Sequence, residues 1–279
     1  MNEQGNIPRC GPVPKFSDLE IVALSLAAES ESIDSENRLF ESKLKEYKNK
    51  IPNLISRRQF NDRRKSTAGL CEKIRKQIAM AIDGGDDFFF VDSKPVEVCR
   101  ATRGKRCKMR HTSEFSQAPD FGYCTSHNTY YFGYKLHAVC GLNGVIHSYD
   151  LSKASVDDRK FMKDVKLTFH VRNMYGDKGY IGADIQFDLF EPTHIRLECP
   201  YRVNQKNRKP TLIPLAKAQK RIETLFSQLT GQFIIIRNYV TMTNDLFARF
   251  IGKISALTVS QYVNYINGKP IGIIKYELN

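Results

Sequence analysis

The chain has 279 residues, a net charge of +13 at neutral pH and a pI near 9.4. This length allows one large domain or two modest ones, and the positive charge indicates a polyanionic partner, most simply nucleic acid. No apolar run reaches the ~18–20 residues of a membrane span and no signal-peptide pattern is present, so we expect a cytoplasmic protein. Seven cysteines, an odd number, argue against a disulfide framework.

The first part of the chain has a helical pattern. Residues 1–15 carry three prolines and are predicted to form a flexible arm. Residues 16–83 are predicted to form a small all-α domain, in which Ser17 and Glu20 make a capping box at the start of the first helix. The turn-rich stretch 83–87 then marks a domain boundary.

A basic helix follows Ser56 and predicts a helix-turn-helix-like DNA-binding domain. Arginine reads guanine and asparagine reads adenine in the major groove, which suits a short helix of this composition. A solvated basic face is the alternative. The predicted DNA contacts on this helix are Arg57, Arg58, Asn61, Arg63, Arg64 and Lys65.

The short apolar run Phe88–Val91 has strong strand preference and is interrupted by Asp92. A polar Ser93-Lys94-Pro95 break follows, so we expect the strand to end there. A carboxylate at the end of a buried strand costs several kcal/mol unless a cation or hydrogen bonds compensate it. Asp92 is therefore either a turn aspartate or a metal ligand with carboxylate partners elsewhere.

Two such partners stand out. Asp177 ends a second apolar approach, beside glycines, and Glu223 lies at the edge of an apolar stripe with helical spacing. Three carboxylates form a hard-oxygen set suited to Mg²⁺ or Mn²⁺. The sequence thus predicts two strand-end aspartates and one helix glutamate acting together.

The element order in residues 87–266 predicts an α/β domain, a mixed sheet flanked by helices. Asn143-Gly144 is the turn signal of a hairpin, and residues 111–129 have the composition of a loop. Helices are expected at 157–169, 181–190 and 244–266, and a short strand at 195–199. The carboxylates would then converge at strand ends, where open α/β sheets usually bind ligands. Residues 267–279 are expected to form a C-terminal tail.

Several stretches together resemble the DDE transposases of bacterial insertion sequences, and most closely the group called family 982. Any one of them alone is a weak signal, whereas the combination spans residues 92 to 229. The matching stretches are Val91–Pro95, Gly122–Ser126, Tyr131–His137, Gly176–Ile181 and Arg221–Leu229.

This resemblance implies a ribonuclease H-like catalytic domain and a transposase that binds the terminal repeats of its element. It implies metal-dependent DNA cleavage and strand transfer, with Asp92, Asp177 and Glu223 as catalytic residues and metal ligands. Two Mg²⁺ (or Mn²⁺) ions are expected, bridged by Asp92, with Asp177 and Glu223 each holding one. It further implies double-stranded DNA as partner, a homodimer assembled on DNA, and association with the bacterial nucleoid. Thr230 stands where related enzymes often have a lysine.

Cations near these carboxylates are predicted to contact DNA phosphates: Lys135, Lys178, Lys220 and Arg221. Lys135 and His137 could instead form the exposed face of a hairpin. Asp157 and Asp158 are interpreted as an acidic pair at a helix N-terminus, without a catalytic role. A zinc site is a weaker alternative, because structural zinc sites usually contain two pairs of ligands two to four residues apart and only half of that pattern is present. The residues concerned are Cys99, Cys107, His111, Cys124 and His127, and we favour separate thiols.

Two rival functions are consistent with the sequence. A ribonuclease H-like nuclease would cut DNA without joining it. A DNA-binding regulator, or a decayed transposase that still binds DNA ends, would need no metal. The three carboxylates favour an enzyme.

Overall fold

The computed structural model describes residues 1–47, 49–112, 117–125, 128–170, 172–201, 213–237 and 240–274. Within these ranges the chain forms ten α-helices and six β-strands, together with short 3₁₀ turns and one π-helical turn. No helix in the described ranges is long and apolar enough to span a membrane. The end of the expected tail, residues 275–279, lies outside the described residues.

The first part of the chain is helical, as its pattern predicts. Its elements are α1 (Asp18–Ser30), α2 (Glu36–Arg38), the π-helical turn Leu39–Lys43, α3 (Leu44–Glu46), α4 (Arg57–Ser66) and α5 (Ala68–Asp83). The capping box is confirmed, because Ser17 Oγ accepts from Glu20 N at 3.2 Å and Glu20 Oε2 accepts from Ser17 N at 2.6 Å. An apolar core joins α1, the π-helical turn, α3 and α4, and is made of Phe16, Ile21, Ala28, Ile33, Leu39, Leu44 and Phe60.

The rest of the described chain is built on one mixed sheet. Its strands are β1 (Phe88–Cys99), β2 (Asp120–Cys124), β3 (Thr129–Gly141), β4 (Ile146–Lys153), β5 (Asn173–Gly176) and β6 (Arg196–Glu198). The strand order is β2-β3-β1-β5-β6, and β4 also pairs with β3. β1, β5 and β6 run parallel, whereas the pairs β1–β3, β2–β3 and β3–β4 are antiparallel. The hairpin at Asn143-Gly144 is confirmed, and Gly144 has the positive φ of +78° that its turn requires.

Two sequence predictions about this sheet are wrong. β1 does not end at Asp92 but continues to Cys99, still paired with β3. Pro95 is accommodated because β1 pairs with β5 only as far as Val91, so that the later part of the strand has one unpaired edge. The stretch 111–129, expected as loop, contains β2, which its serines, threonines and glycine concealed.

Helices cover both faces of the sheet. They are α6 (Lys108–Thr112), α7 (Met162–Thr168), α8 (Ala183–Thr193), α9 (Ile213–Gly231) and α10 (Thr243–Ile266). Alternate residues of β1 point to opposite sides: Phe90 and Val96 join a core with α9 and α10, and Phe89 and Val91 join one with α7 and α8. The expected α/β arrangement of a mixed sheet flanked by helices is thus observed.

Helix α10 connects the helical part of the chain to the sheet, since it packs against α1 and α5 as well as against α9 and β4. The contact with α1 includes a buried ion pair. Lys253 Nζ donates to Glu29 Oε2 at 2.6 Å and to the Phe233 carbonyl at 2.6 Å, and both charged side chains are almost fully buried.

The ion pair gives a stability prediction. In the Lys253→Met variant the Glu29 carboxylate stays buried and loses its close cation, with only Arg64 Nη1 left at 3.9 Å. Loss of one partner of a buried pair costs about 3–5 kcal/mol. We expect the free energy of unfolding in urea to fall by about 3 kcal/mol.

The matched control is Lys45→Met. Lys45 pairs with Glu41 at 3.1 Å on the surface, with both side chains more than half exposed. Such pairs contribute about 0–1 kcal/mol, so this variant should unfold almost as the wild type does. Equal, small losses in the two variants would contradict a structural role for the Lys253 contact.

Candidate active site

The first two carboxylates are brought together by the pairing of β1 with β5. The parallel register ends with Val91 opposite Gly176. Asp92 and Asp177 are the next residues on the two strands, so they leave the paired segment side by side. Asp92 is half-buried and its Oδ1 accepts a hydrogen bond from Ser93 N at 2.7 Å, whereas Asp177 is exposed.

The third carboxylate is supplied by α9, which packs across β1. Ile222, Leu225 and Phe226 of this helix are buried in the core, and Glu223 projects beside them into solvent. Gln219, one turn earlier, donates to Glu223 Oε1 at 3.3 Å. A small cleft is lined by Asp92, Asp177, Gln219 and Ile222, among others, so Glu223 stands at its rim.

The environment of Asp92 disfavours the charged form of its carboxyl group. Burial raises the pKa of its carboxyl from 3.8 to about 7. The Ser93 N–H lowers this pKa, and the negative charges of Asp177, Asp158 and Glu223 raise it further. The other two predicted carboxylates and a fourth acid therefore act on Asp92.

That fourth acid is Asp158, which the sequence analysis set aside. Its neighbour Asp157 does cap the following 3₁₀ turn, Asp158–Phe161, by accepting from Arg159 N at 2.9 Å. Asp158 itself pairs with Lys135 Nζ at 2.7 Å. Its charge also helps raise the pKa of Tyr180, which burial raises most, so it reaches the loop after Asp177. Only the tertiary fold reveals this, because nothing in the local sequence separates Asp158 from Asp157.

His137 is a core residue and not part of an exposed hairpin face. It is fully buried, its Nε2 is 2.8 Å from Ser152 Oγ, and its ring stacks on Phe161 at 5.0 Å between centroids. Burial lowers the pKa of His137 to about 4, Lys135 lowers it further and Asp158 opposes the shift. The side chain is therefore neutral near pH 7.

One comparison with known proteins identifies the family of this chain. A family model described as "Transposase DDE domain" matches residues 83–259, well over half of the chain. The chain belongs to the DDE transposase family. The match begins at the end of α5 and covers the sheet, the cleft and most of α10. Neither a search of curated proteins nor a search of solved structures found a match.

DDE transposases generally use divalent metals, and the donor chemistry of the cleft fits such an ion. Carboxylate oxygens are the ligands that Mg²⁺ and Mn²⁺ prefer, and the acids around Asp92 raise its pKa as uncompensated charges do. In the described part of the chain, no three His, Cys, Asp or Glu side chains converge closely enough to hold a metal ion, whether in this cleft or as the zinc set. His127 of that set lies outside the described residues.

The basic helix α4 of this transposase divides into exposed and internal side chains. Arg57 and Arg58 are exposed at its N-terminus, and Asn61 is half-buried one turn later. Arg63 turns inward, donating to the Phe16 carbonyl and to Asp18 Oδ1 at 2.7 Å. Arg64 also turns inward.

Arg64 pairs with Glu36 at 3.0 Å and lies near Glu29, and Lys65 pairs with Asp245 of α10 at 2.9 Å. These contacts join α4 to α1, α2 and α10. The basic run of the sequence therefore serves in part to hold the helices together, which a charge pattern alone does not distinguish from DNA contact.

The remaining predicted cations lie at different distances from the cleft. Lys178 directly follows Asp177 and is exposed, and Lys220 is exposed one turn before Glu223 on α9. Arg221 points elsewhere and packs on the β3–β4 turn, where a Cβ atom at Gly144 would lie 2.9 Å from Arg221 Cδ. Lys178 and Lys220 thus flank the carboxylates, and Arg221 does not.

The raised pKa of Asp92 predicts an unusual pH dependence of stability. Between about pH 4 and pH 7 the folded protein keeps a proton that the unfolded chain releases, so folding stability falls as the pH rises through this range. The Asp92→Asn variant has no proton to lose. We expect it to be more stable than the wild type at pH 8 by about 1–3 kcal/mol, a difference that shrinks toward pH 4.

The measurement is urea unfolding with EDTA present at several pH values. Asp157→Asn is the matched control, because Arg159 holds the pKa of Asp157 below its ordinary value and the sign is opposite. That variant should lose stability at pH 8, where the wild-type carboxylate is charged and paired. A gain in the Asp92→Asn variant that stays constant from pH 4 to pH 8 would contradict the assignment.

Proposed function

We propose that this protein is the transposase of a bacterial insertion sequence, with a ribonuclease H-like catalytic domain closest to the family 982 group. It would bind the terminal repeats of its element and catalyse DNA cleavage and strand transfer. The observation that supports the proposal is that Asp92 and Asp177 leave the β1–β5 pairing side by side within a DDE transposase domain, with Glu223 on the helix that packs across β1. The register of β1 and β5 sets the first two, and α9 supplies the third.

Asp92, Asp177 and Glu223 would hold the divalent cations, Mg²⁺ or Mn²⁺ and two in number. Bound there, the ions would supply an activated water or 3′-hydroxyl and stabilise the leaving oxygen of an in-line displacement. Asp92 would be the most restrained of the three ligands, since it is half-buried, its backbone lies within β1 and its side chain accepts a hydrogen bond from Ser93 N.

The other groups of the chain would orient the acids and the DNA. Gln219 restrains the exposed Glu223 through its hydrogen bond. Lys178 and Lys220 flank the carboxylates and would contact the phosphates on either side of the scissile bond. Lys135 neutralises Asp158 and so limits the negative charge beside Asp92. Each of these roles positions a reacting group or a phosphate.

The helical segment 16–83 is proposed as the domain that reads the terminal repeats, preceded by the arm 1–15. Arg57, Arg58 and Asn61 present groups suited to guanine and adenine edges in a major groove. Residues 87–266 would form the catalytic domain, followed by the tail 267–279. Assembly on two DNA ends implies a homodimer there, in the bacterial cytoplasm at the nucleoid.

The reaction can be tested on a labelled duplex that carries the insertion end, taken from the DNA flanking the gene, with Mg²⁺ or Mn²⁺. We expect wild type to yield cleaved and joined products. Asp92→Asn keeps the shape of the side chain but removes a ligand charge, and should lower the rate by at least about 100-fold.

A second readout does not depend on activity. Mn²⁺ should raise the melting temperature of the wild type and leave that of the Asp92→Asn variant unchanged, because a ligand of the folded state stabilises it. Cleavage without joining would favour the nuclease reading. DNA binding with no cutting and no metal effect in either protein would favour a regulator or a decayed element.

The division of α4 into exposed and internal arginines predicts which of them contacts DNA. Arg58→Ala should weaken binding to the terminal-repeat duplex about fivefold or more, the loss expected for one base-reading arginine. Arg64→Ala should instead lower protein stability, because it leaves Glu36 without its cation at 3.0 Å. Fluorescence anisotropy and thermal unfolding on the same samples separate the two effects. An equal loss of affinity in both folded variants would contradict this division.

A further inference from the structure

The hairpin of β2 and β3 carries an exposed pair of aromatic side chains. Tyr123 lies directly opposite Tyr130 in the antiparallel register, and their ring centroids are 5.0 Å apart. The two residues are 47% and 74% exposed. Tyr123 also donates a hydrogen bond to Asn128 Oδ1, which restrains its ring. A pre-arranged aromatic surface is thus open to solvent.

The same hairpin face is closed immediately beside this pair. Phe121 and Phe132 are the next opposed residues, and their rings contact each other at 4.9 Å between centroids. The 3₁₀ turn Ala101–Arg106 covers them, with Gly104 so close that a Cβ atom there would lie 2.8 Å from both rings. Phe132 is therefore fully buried and Phe121 half-buried, whereas no described segment covers the tyrosine pair, which continues the same face.

The covering segment is strongly basic. Residues 100–110 contain six lysines and arginines and no acid. Among the described residues, five of these cations are exposed and form no salt bridge: Arg100, Arg103, Lys105, Arg106 and Arg110. Unpaired cations and an uncovered aromatic pair thus occupy adjoining surface.

The surface is also connected to the cleft. β1 runs from Asp92 to Cys99 and leads directly into Arg100, a distance of about 26 Å for eight strand residues. An open groove of about 410 Å³ is lined by Lys94 of β1, by Arg100 and by Thr129 and Tyr131, the two sequence neighbours of Tyr130.

We propose that Tyr123 and Tyr130 form a stacking platform for unpaired bases of a DNA strand, whose phosphates are held by the cations of residues 100–110. This inference rests on the proposed function and names the DNA segment that one surface of the transposase binds. Base faces are available to an aromatic ring in a single strand, whereas in a duplex they are stacked on one another. Aromatic rings such as those of the tyrosine pair stack on any base, and cations such as those of residues 100–110 attract phosphates.

The experiment measures binding of the full chain in EDTA to a labelled single-stranded oligothymidylate and to a duplex closed at both ends by loops of a non-nucleotide linker. We expect Tyr130→Ala to weaken single-strand binding at least about fivefold, the change that corresponds to loss of one stacked base. Its affinity for the closed duplex should change less than about twofold.

Tyr265→Ala is the matched control. Tyr265 is 45% exposed and faces Tyr262 with 6.2 Å between ring centroids, but it lies near the end of α10. Its removal should leave both affinities unchanged. Tyr130→Phe should bind as the wild type does, since the ring and not the hydroxyl stacks on a base. Circular dichroism of each variant confirms that it is folded.

A spectroscopic readout tests stacking directly. The chain contains no tryptophan, so the Tyr130→Trp variant carries a single indole fluorophore. Its fluorescence should be quenched by the single-stranded oligonucleotide and not by the closed duplex or by polyglutamate. Absence of single-strand binding by the wild type, equal weakening for both DNA forms, or equal quenching by polyglutamate would overturn the proposal. Because no metal is present, these results are separate from the cleavage assay that tests the proposed function.

Discussion

The short parallel pairing between β1 and β5 is the constraint on which the candidate site depends. It joins Phe88–Val91 to Asn173–Gly176 and then stops. Had it continued, the edge of β1 beyond Val91 would be occupied by backbone, and the cleft at Asp92 and Asp177 would be filled. Because it stops, Asp92 and Asp177 leave the pairing together, and β1 continues with one free edge toward the basic turn at residues 101–106.

The cleft concentrates negative charge that the folded chain alone compensates only in part. Lys135 pairs with Asp158, while no described side chain pairs with Asp92, whose pKa is about 7. Packing of the sheet between α9 and α7 stabilises the fold and at the same time holds these acids close together. Under the proposed function, a divalent cation would offset both the burial of Asp92 and the repulsion from the charges around it.

Much of this arrangement could be predicted from the sequence. Asp92 and Asp177 follow apolar strands and Glu223 follows a helical stripe, so local pattern places all three. The continuation of β1 through Pro95 was missed, because strand pairing on one edge only is a tertiary property. Asp158 was missed for a similar reason: it resembles the capping Asp157 in sequence and differs from it only in what the fold places opposite. Arg64 is the opposite case. It lies in a basic run that is typical of a DNA contact, but in the structure it pairs with Glu36 of the same chain.

Acidic and basic side chains occupy different parts of the surface, and electrostatic repulsion gives a reason for this separation. A DNA phosphate approaching Asp92, Asp177, Glu223 and Asp158 is repelled unless cations intervene, so the cleft by itself is a poor anchor for DNA. Apart from Lys178 and Lys220, which flank the cleft, exposed cations lie away from it, at Arg57 and Arg58 on α4 and at residues 100–110 beside the hairpin. Under the proposed function, affinity for DNA would come from these outlying surfaces, and bound divalent ions would allow the acids to approach the phosphodiester. Thr230 stands where related enzymes often have a lysine and donates to the Phe226 carbonyl of its own helix, so this position of α9 contributes no positive charge.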